Sequence, residues 1–327
     1  MIRVSIIGAT TWGNTLASLI SANGVAVRVW AKSPEQATSF QQKYAGFSSA
    51  GLEFSADPDF TIEGCDAAVF AVPAQSVRRS ARIFAGRLDK TAILASAAKG
   101  LEAGSGKRMT EILAEETGRA GSQGLAVISG PNLSGEINSG LPAVTVIASE
   151  VNGYAQELAR IIASSSFSVY TSTDVKGVEI CGALKNVIAL GAGMSDGLKL
   201  GSNAKAALVT VGWQEVIGLG RKLGANENTF LGFAGLGDLV TTCISPLSRN
   251  YRAGYQLAEE KPLADVLAGM SNVVEGVDTT RATHLLASKL SYEMPLMNAI
   301  YRVLNGELTA SGITRYFLNG HRQGMPE

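Results

Sequence analysis

Short apolar runs alternate with helical periodicity through the first half of the chain, whereas the second half carries helical spacing alone. Arg3-Val-Ser-Ile-Ile7 is a β run that stops at Gly8, and from Gly13 the apolar positions Leu16, Ala17, Leu19 and Ile20 recur as on one helix face, ending near Asn23-Gly24. A second β run, Val25 to Trp30, completes a βαβ unit of about thirty residues. Further apolar runs at Ala67 to Val72, Thr91 to Ala95, Ala126 to Ser129 and Thr145 to Ala148 are separated by helical segments such as Gln75 to Phe84 and Met109 to Glu116. This alternation predicts an α/β fold with a doubly wound sheet. After Phe167 to Tyr170 the strand signals stop. Helical spacing then covers Gly177 to Met194, Asn203 to Leu223, Asp238 to Cys243, Arg249 to Leu257, Pro262 to Ala268, Val277 to Leu290 and Pro295 to Leu304. The expected division is a dinucleotide-binding domain over 1–171 and an all-α domain over 172–327, in keeping with a length of 327 residues, beyond the usual limit of a single core.

Charge and composition narrow the chemistry. Lysine plus arginine and aspartate plus glutamate both number 28, so the net charge is zero and offers no electrostatic case for nucleic acid or a membrane surface. The apolar run before Gly8 is too short for a signal peptide, and no later stretch supplies an uninterrupted membrane span; a cytoplasmic protein with no membrane insertion is expected. Three cysteines without C-x-x-C spacing and two histidines make a metal site an unsupported reading. His284 sits in a helical pattern and His321 in the last few residues, so acid/base work falls to lysine or carboxylate.

The first β turn reads Gly8-Ala-Thr10-Thr11-Trp12-Gly13, a dinucleotide fingerprint in its proper strand–turn–helix setting but with Thr10 where the middle glycine usually stands. At the end of the second β run, where an NAD site usually carries Asp or Glu, stand Lys32 and Ser33. These suit a 2′-phosphate and favour NADPH, with a solvated loop lysine as the competing reading. Later strand ends carry Lys99 and Gly130-Pro-Asn132-Leu-Ser134, at the edge where ligands of such sheets bind.

In the helical half, Lys185 is flanked at helical spacing by Val178, Cys181, Gly182, Ile188, Ala189 and Ala192, with no other ionisable residue until Asp196. Its ammonium is either snorkelling to water or held in a cleft, where burial favours the neutral form unless carboxylates oppose it. Asp238, an N-cap or a partner for that ammonium, follows a glycine-broken stretch beginning at Phe233. Two further interruptions, Ser245 to Asn250 and Val273 to Gly276, offer backbone for a ligand to approach. Ser248-Arg249-Asn250 at a helix start combines backbone N–H groups, a guanidinium and an amide, a good design for a phosphate monoester; a capped helix with a surface arginine is the plainer alternative.

Glu179-Ile-Cys-Gly-Ala-Leu-Lys-Asn186, supported in order by Ala192-Gly-Met-Ser-Asp-Gly-Leu198, Gly235-Leu-Gly-Asp-Leu239, Thr242-Cys243, Ser248-Arg-Asn250 and Val274-Glu-Gly276, resembles the NAD(P)-dependent glycerol-3-phosphate dehydrogenases of bacterial type along nearly the whole chain. That resemblance implies an N-terminal Rossmann-like sheet followed by an all-α domain. It also implies reversible NAD(P)H-dependent reduction of dihydroxyacetone phosphate to sn-glycerol 3-phosphate for glycerophospholipid synthesis, in a homodimer. By the same resemblance Lys185 is the general acid, flanked by Lys99 and Asp238. Substrate contacts fall to Lys99, Gly130, Asn132, Lys185, Asn186, Asp238, Thr242, Ser248, Arg249 and Asn250. Cofactor contacts fall to Gly8, Thr10, Thr11, Trp12, Gly13, Lys32, Ser33, Lys99, Ser134, Arg249, Val273 and Glu275, with NADPH preferred and NADH also accommodated. The family loop usually has a second glycine in place of Thr10 and a threonine in place of Asn14. Read from the residues alone, two other functions compete: a reductase of the same plan acting on another 2-oxo or hydroxy acid, and a non-catalytic NADPH-binding redox sensor.

Overall fold

The computed structural model describes residues 2–44, 51–121 and 123–318; His321 lies outside them. Two compact units form, one from residues 1–99 with 108–179, the other from 100–107 with 180–327.

In the first unit, among the described residues, β1 (Arg3–Ile7), β2 (Ala26–Trp30), β3 (Leu52–Ser55), β4 (Ala67–Phe70), β5 (Ile93–Ser96), β6 (Leu125–Ser129), β7 (Ala143–Ala148) and β8 (Phe167–Ser172) make one sheet ordered 3-2-1-4-5-6-7-8. The first six strands in that order are parallel. β7 runs antiparallel to β6, and β8 is parallel to β7. Alternation along the strands sends neighbours to opposite cores. Ile6 and Val69 pack with Leu16, Ala17 and Ile20 of the Thr11–Ala22 helix, while Ile7 and Phe70 pack on the other face with Val77, Phe84 and Ile112. With both faces covered, the strands are nearly continuous apolar runs, the pattern from which a doubly wound sheet was expected.

The strand order reverses between β1 and β4, and such a switch point opens a crevice at the carboxyl ends of parallel strands. The Gly8–Gly13 loop follows β1 there, while Lys99 follows β5 and Gly130 follows β6 on the same sheet edge.

The second unit is helical. Its core is built on the Val175–Gly197 helix, which begins in the first unit and is apolar on all sides. It is long and apolar enough to cross a membrane, yet its apolar stretch is wholly buried in protein, as a helix hydrophobic all round must be. At its foot the Glu179 carboxylate accepts from the Thr110 N–H (2.8 Å), the Thr110 hydroxyl (2.6 Å) and the Arg108 guanidinium (2.6 Å). Burial raises the Glu179 pKa and Arg108 opposes that rise. A second buried carboxylate, Glu215, accepts the Leu296 and Met297 N–H groups at 2.7 and 3.0 Å. It thereby serves, from another helix, donors that the Pro295–Leu304 helix cannot satisfy itself. Burial pushes its pKa up to about 7.

The glycine-broken stretch after Phe233 was expected to interrupt the helices. Instead Phe233–Gly237 is wound as a π-helical turn leading into the Asp238–Ile244 helix. A Cβ on Gly235 would lie 2.4 Å from the Phe230 carbonyl oxygen, so glycine there admits the protein's own backbone.

Candidate active site

Two constellations form, one in each unit. In the sheet unit, the β1 turn is tight: Gly8 has φ +120°, and a Cβ on it would lie 2.7 Å from Val72 Cγ1. A Cβ on Gly13 would lie 2.1 Å from the Gly8 carbonyl oxygen. Thr10 needs no glycine, because its φ is −86° and its backbone extended. Its hydroxyl accepts from the Gly13 N–H (3.0 Å) and donates to the Ala71 carbonyl (2.7 Å). Thr10 is therefore the N-cap of the Thr11–Ala22 helix and ties the β1 loop to the β4 loop. Where the usual pattern has glycine, Thr10 adopts a backbone conformation open to any residue. The Trp12 Nε1 and Asn14 Oδ1 atoms beside it are buried without a hydrogen-bond partner, and a buried polar atom in that state calls for a ligand or water.

Ser33 caps the Pro34–Tyr44 helix, its hydroxyl accepting from the Gln36 N–H at 3.3 Å, while Gln36 Oε1 accepts the Lys32 N–H at 2.9 Å. The Lys32 residue is exposed. At the next strand ends, Lys99 Nζ donates to the Gly130 carbonyl at 2.7 Å. Gly130 has φ +153°, and a Cβ on it would lie 3.0 Å from Thr145 Cα. Asn132 Nδ2 donates to Thr145 Oγ1 at 3.0 Å, which fixes the amide and leaves its Oδ1 buried and unpartnered. Ser134 opens the short Ser134–Asn138 helix.

In the helical unit, Lys185 is buried and donates to the Asp238 carboxylate and to Thr242 Oγ1, the latter at 2.7 Å. The Thr242 hydroxyl donates in turn to the Asp238 carbonyl at 2.6 Å, so its lone pair is left to accept from the ammonium. The ammonium thus has a counter-charge and a fixed direction, and the snorkelling alternative falls. Next to it the Cys243 thiol is pushed up to about 12 by burial, with the Lys185 and Lys205 ammoniums opposing. It is a structural thiol.

Asn186 Oδ1 accepts from Asn250 Nδ2 at 2.9 Å, and Asn250 Oδ1 accepts the Gly276 N–H at 2.8 Å. A Cβ on Gly276 would meet both the Asn186 carbonyl oxygen and Asn250 Oδ1 within 2.8 Å, so this glycine too serves close protein packing. Ser248 caps the Arg249–Leu257 helix, its Oγ accepting the Tyr251 N–H at 3.3 Å. Desolvation lowers the Arg249 pKa and the Glu275 carboxylate opposes the shift. Glu275 opens the Glu275–Lys289 helix, and Val273, two residues before it, is exposed. Asp196, Lys205 and Tyr251 also form a cluster in this unit that sequence inspection passed over, although Asp196 follows Lys185 by about three helical turns.

The chain is similar to known proteins over most of its length. Residues 3–155 match the model described as NAD-dependent glycerol-3-phosphate dehydrogenase N-terminus, and residues 174–315 the one described as its C-terminus. The glycerol-3-phosphate dehydrogenase [NAD(P)+] of Dehalococcoides mccartyi is 45% identical over 312 residues, covering 93% of this chain and 87% of that protein. The chain belongs to the NAD-dependent glycerol-3-phosphate dehydrogenase family. Its relative of the same description from Lacticaseibacillus casei is 39% identical over 317 residues, covering 92% of this chain and 90% of that protein. The crystal structure of glycerol-3-phosphate dehydrogenase from Coxiella burnetii superposes with a TM-score of 0.91 at 33% identity, covering 97% of this chain and 98% of that one. Family membership decides among the functions left open above: the chain is an NAD(P)-dependent oxidoreductase rather than a sensor.

Proposed function

We propose that Lys185 is the proton donor as the chain carries out the reaction of its family, the NAD(P)H-dependent interconversion of dihydroxyacetone phosphate and glycerol 3-phosphate. The observation that carries this reading is the buried Lys185 ammonium held by Asp238 and Thr242. A carbonyl becoming an alkoxide needs a directed proton and a nearby positive charge, and Lys185 supplies both. In the reverse direction the neutral amine takes the proton back. Asp238 compensates the charge that burial would otherwise disfavour, and Thr242 aims it. Lys99 adds a second cation, steered by the Gly130 carbonyl.

The substrate phosphate is assigned to Ser248, Arg249 and Asn250, where a capped helix N-terminus, a guanidinium and an amide converge in sequence. Asn186 orients Asn250, and Gly130 with Asn132 complete the substrate contacts. The dinucleotide is assigned to Gly8, Thr10, Thr11, Trp12 and Gly13 at the N-terminus of the Thr11–Ala22 helix, with Lys32, Ser33, Lys99, Ser134, Arg249, Val273 and Glu275. The unpartnered Trp12 Nε1 supports a ligand at that loop. When bound, the reduced nicotinamide supplies the hydride. Lys32 and the absence of an acidic residue at the end of β2 favour NADPH over NADH. Residues 1–171 act as the cofactor domain and 172–327 as the substrate domain, in a cytoplasmic homodimer serving glycerophospholipid synthesis.

The test is NADPH oxidation followed with dihydroxyacetone phosphate beside unphosphorylated ketones and 2-oxo acids, then repeated with NADH. Turnover confined to the phosphorylated ketone and a higher kcat/KM with NADPH support the reading. Equal use of an unphosphorylated ketone removes the phosphate assignment, and equal or better use of NADH removes the Lys32 assignment.

A further inference from the structure

Asp196, Lys205 and Tyr251 stand outside every role assigned above. Asp196 lies eleven residues beyond Lys185 on the Val175–Gly197 helix, about three turns on and therefore on nearly the same helix face. Its Oδ2 receives two donors, the Tyr251 hydroxyl at 2.6 Å and the Lys205 ammonium at 2.7 Å. The Lys205 ammonium also lies 5.9 Å from the centre of the Tyr251 ring. One carboxylate thus joins three helices: its own, Gly201–Lys222 and Arg249–Leu257.

Tyr251 is the residue that makes this junction consequential. It is the third residue of the Arg249–Leu257 helix, with its N–H taken by the Ser248 cap and its hydroxyl by Asp196. Fixing its side chain therefore fixes the turn that contains Ser248, Arg249 and Asn250. The packing of the two helices makes such a lock necessary. They meet backbone to backbone through glycine: a Cβ on Gly193 would lie 2.0 Å from the Tyr251 carbonyl oxygen, one on Gly254 1.9 Å from that of Leu190, and one on Gly197 2.7 Å from that of Tyr255. A seam of bare backbone has few interlocking side chains to set its register. Two polar locks set it instead. One is Asn186–Asn250–Gly276, and the other is Asp196–Tyr251. Partly exposed ion pairs such as Asp196–Lys205, with side chains 23% and 24% accessible, contribute little net stability, so a geometric role accounts for the cluster better than an energetic one.

We propose that Asp196, with Tyr251 and Lys205, is a positioning device that sets the Ser248–Asn250 turn for capture of the substrate phosphate. This rests on the assignment of that turn to the phosphate. Tyr251→Phe removes only the hydroxyl that reaches Asp196. In the full chain it raises the KM for dihydroxyacetone phosphate about three- to tenfold, the loss expected for one hydrogen bond, with kcat within about twofold. Asp196→Asn acts in the same direction. Lys205→Arg keeps the KM near that of the unaltered chain, whereas Lys205→Met does not. In an Arg249→Ala background, Tyr251→Phe has a smaller effect than in the unaltered chain. An unchanged KM in Tyr251→Phe and Asp196→Asn, or a full effect that persists without Arg249, overturns the proposal while leaving the phosphate assignment standing. An unchanged KM in Arg249→Ala itself overturns that assignment, and the positioning role with it.

Discussion

Lys185 and Asp238, 53 residues apart in sequence, form an ion pair in the interior of the helical unit, with side chains only 6% and 2% accessible. An ammonium this deep depends on its counter-charge. Removing one partner of a buried pair leaves an uncompensated charge, which costs about 3–5 kcal/mol. Asp238→Asn is therefore expected to lower the unfolding free energy by roughly that amount, read from urea denaturation. Replacing both residues with apolar ones, as Lys185→Met with Asp238→Leu, should recover much of the loss. A single-variant cost below about 1 kcal/mol would mean that Lys185 reaches water on its own.

The loop after β1 makes a second expectation. Gly13→Ala puts a methyl 2.1 Å from the Gly8 carbonyl oxygen and should abolish NADPH binding measured by nucleotide fluorescence. Thr10→Ala removes a cap bond and the bond to Ala71, so it should cost about 1 kcal/mol of stability and weaken NADPH binding. Thr10→Gly loses the same bond to Ala71 but should cost less than the alanine variant, because glycine is itself a tolerated N-cap. Equal losses in the alanine and glycine variants would contradict the capping role.

Glu215 predicts a pH dependence. Its carboxyl, pushed up to about 7 by burial, holds its proton more tightly in the folded chain than in the unfolded one. Its contribution to stability is therefore complete below the ordinary glutamate pKa and falls as pH rises through about 7. Urea midpoints of the unaltered chain and of Glu215→Gln, compared between about pH 5 and pH 8, should differ by an amount that changes across this window in favour of Gln at the high end. A difference independent of pH would show that Glu215 titrates normally.

Much of this was legible in the sequence where one residue's neighbours decide its environment. The apolar surroundings of Lys185 placed it on a buried helix face while leaving open whether its ammonium reached water, and β1, β4 and β6 appear close to where their apolar runs lie, because strands covered on both faces need uniform apolarity. Elements without that uniformity escaped notice. β3 is a four-residue edge strand, Leu-Glu-Phe-Ser, with every second residue turned outward. The Pro34–Tyr44 helix buries only Ala37 and so lacks an apolar stripe. Phe233–Gly237 reads as a break because its glycines lower helix propensity, whereas in the fold Gly235 admits the Phe230 backbone. The Asp196–Lys205–Tyr251 cluster depends on three helices meeting, and spacing within one helix carries no trace of the other two.

The proton of this reaction is proposed to come from the buried Lys185 ammonium. Steady-state NADPH oxidation with dihydroxyacetone phosphate, measured for the unaltered chain and for Lys185→Met with NADPH binding determined in parallel, tests it most directly. A fall in kcat of about two to four orders of magnitude, with NADPH affinity retained, is the expected result. A Lys185→Met chain that binds NADPH and turns over at a near-normal rate would contradict it.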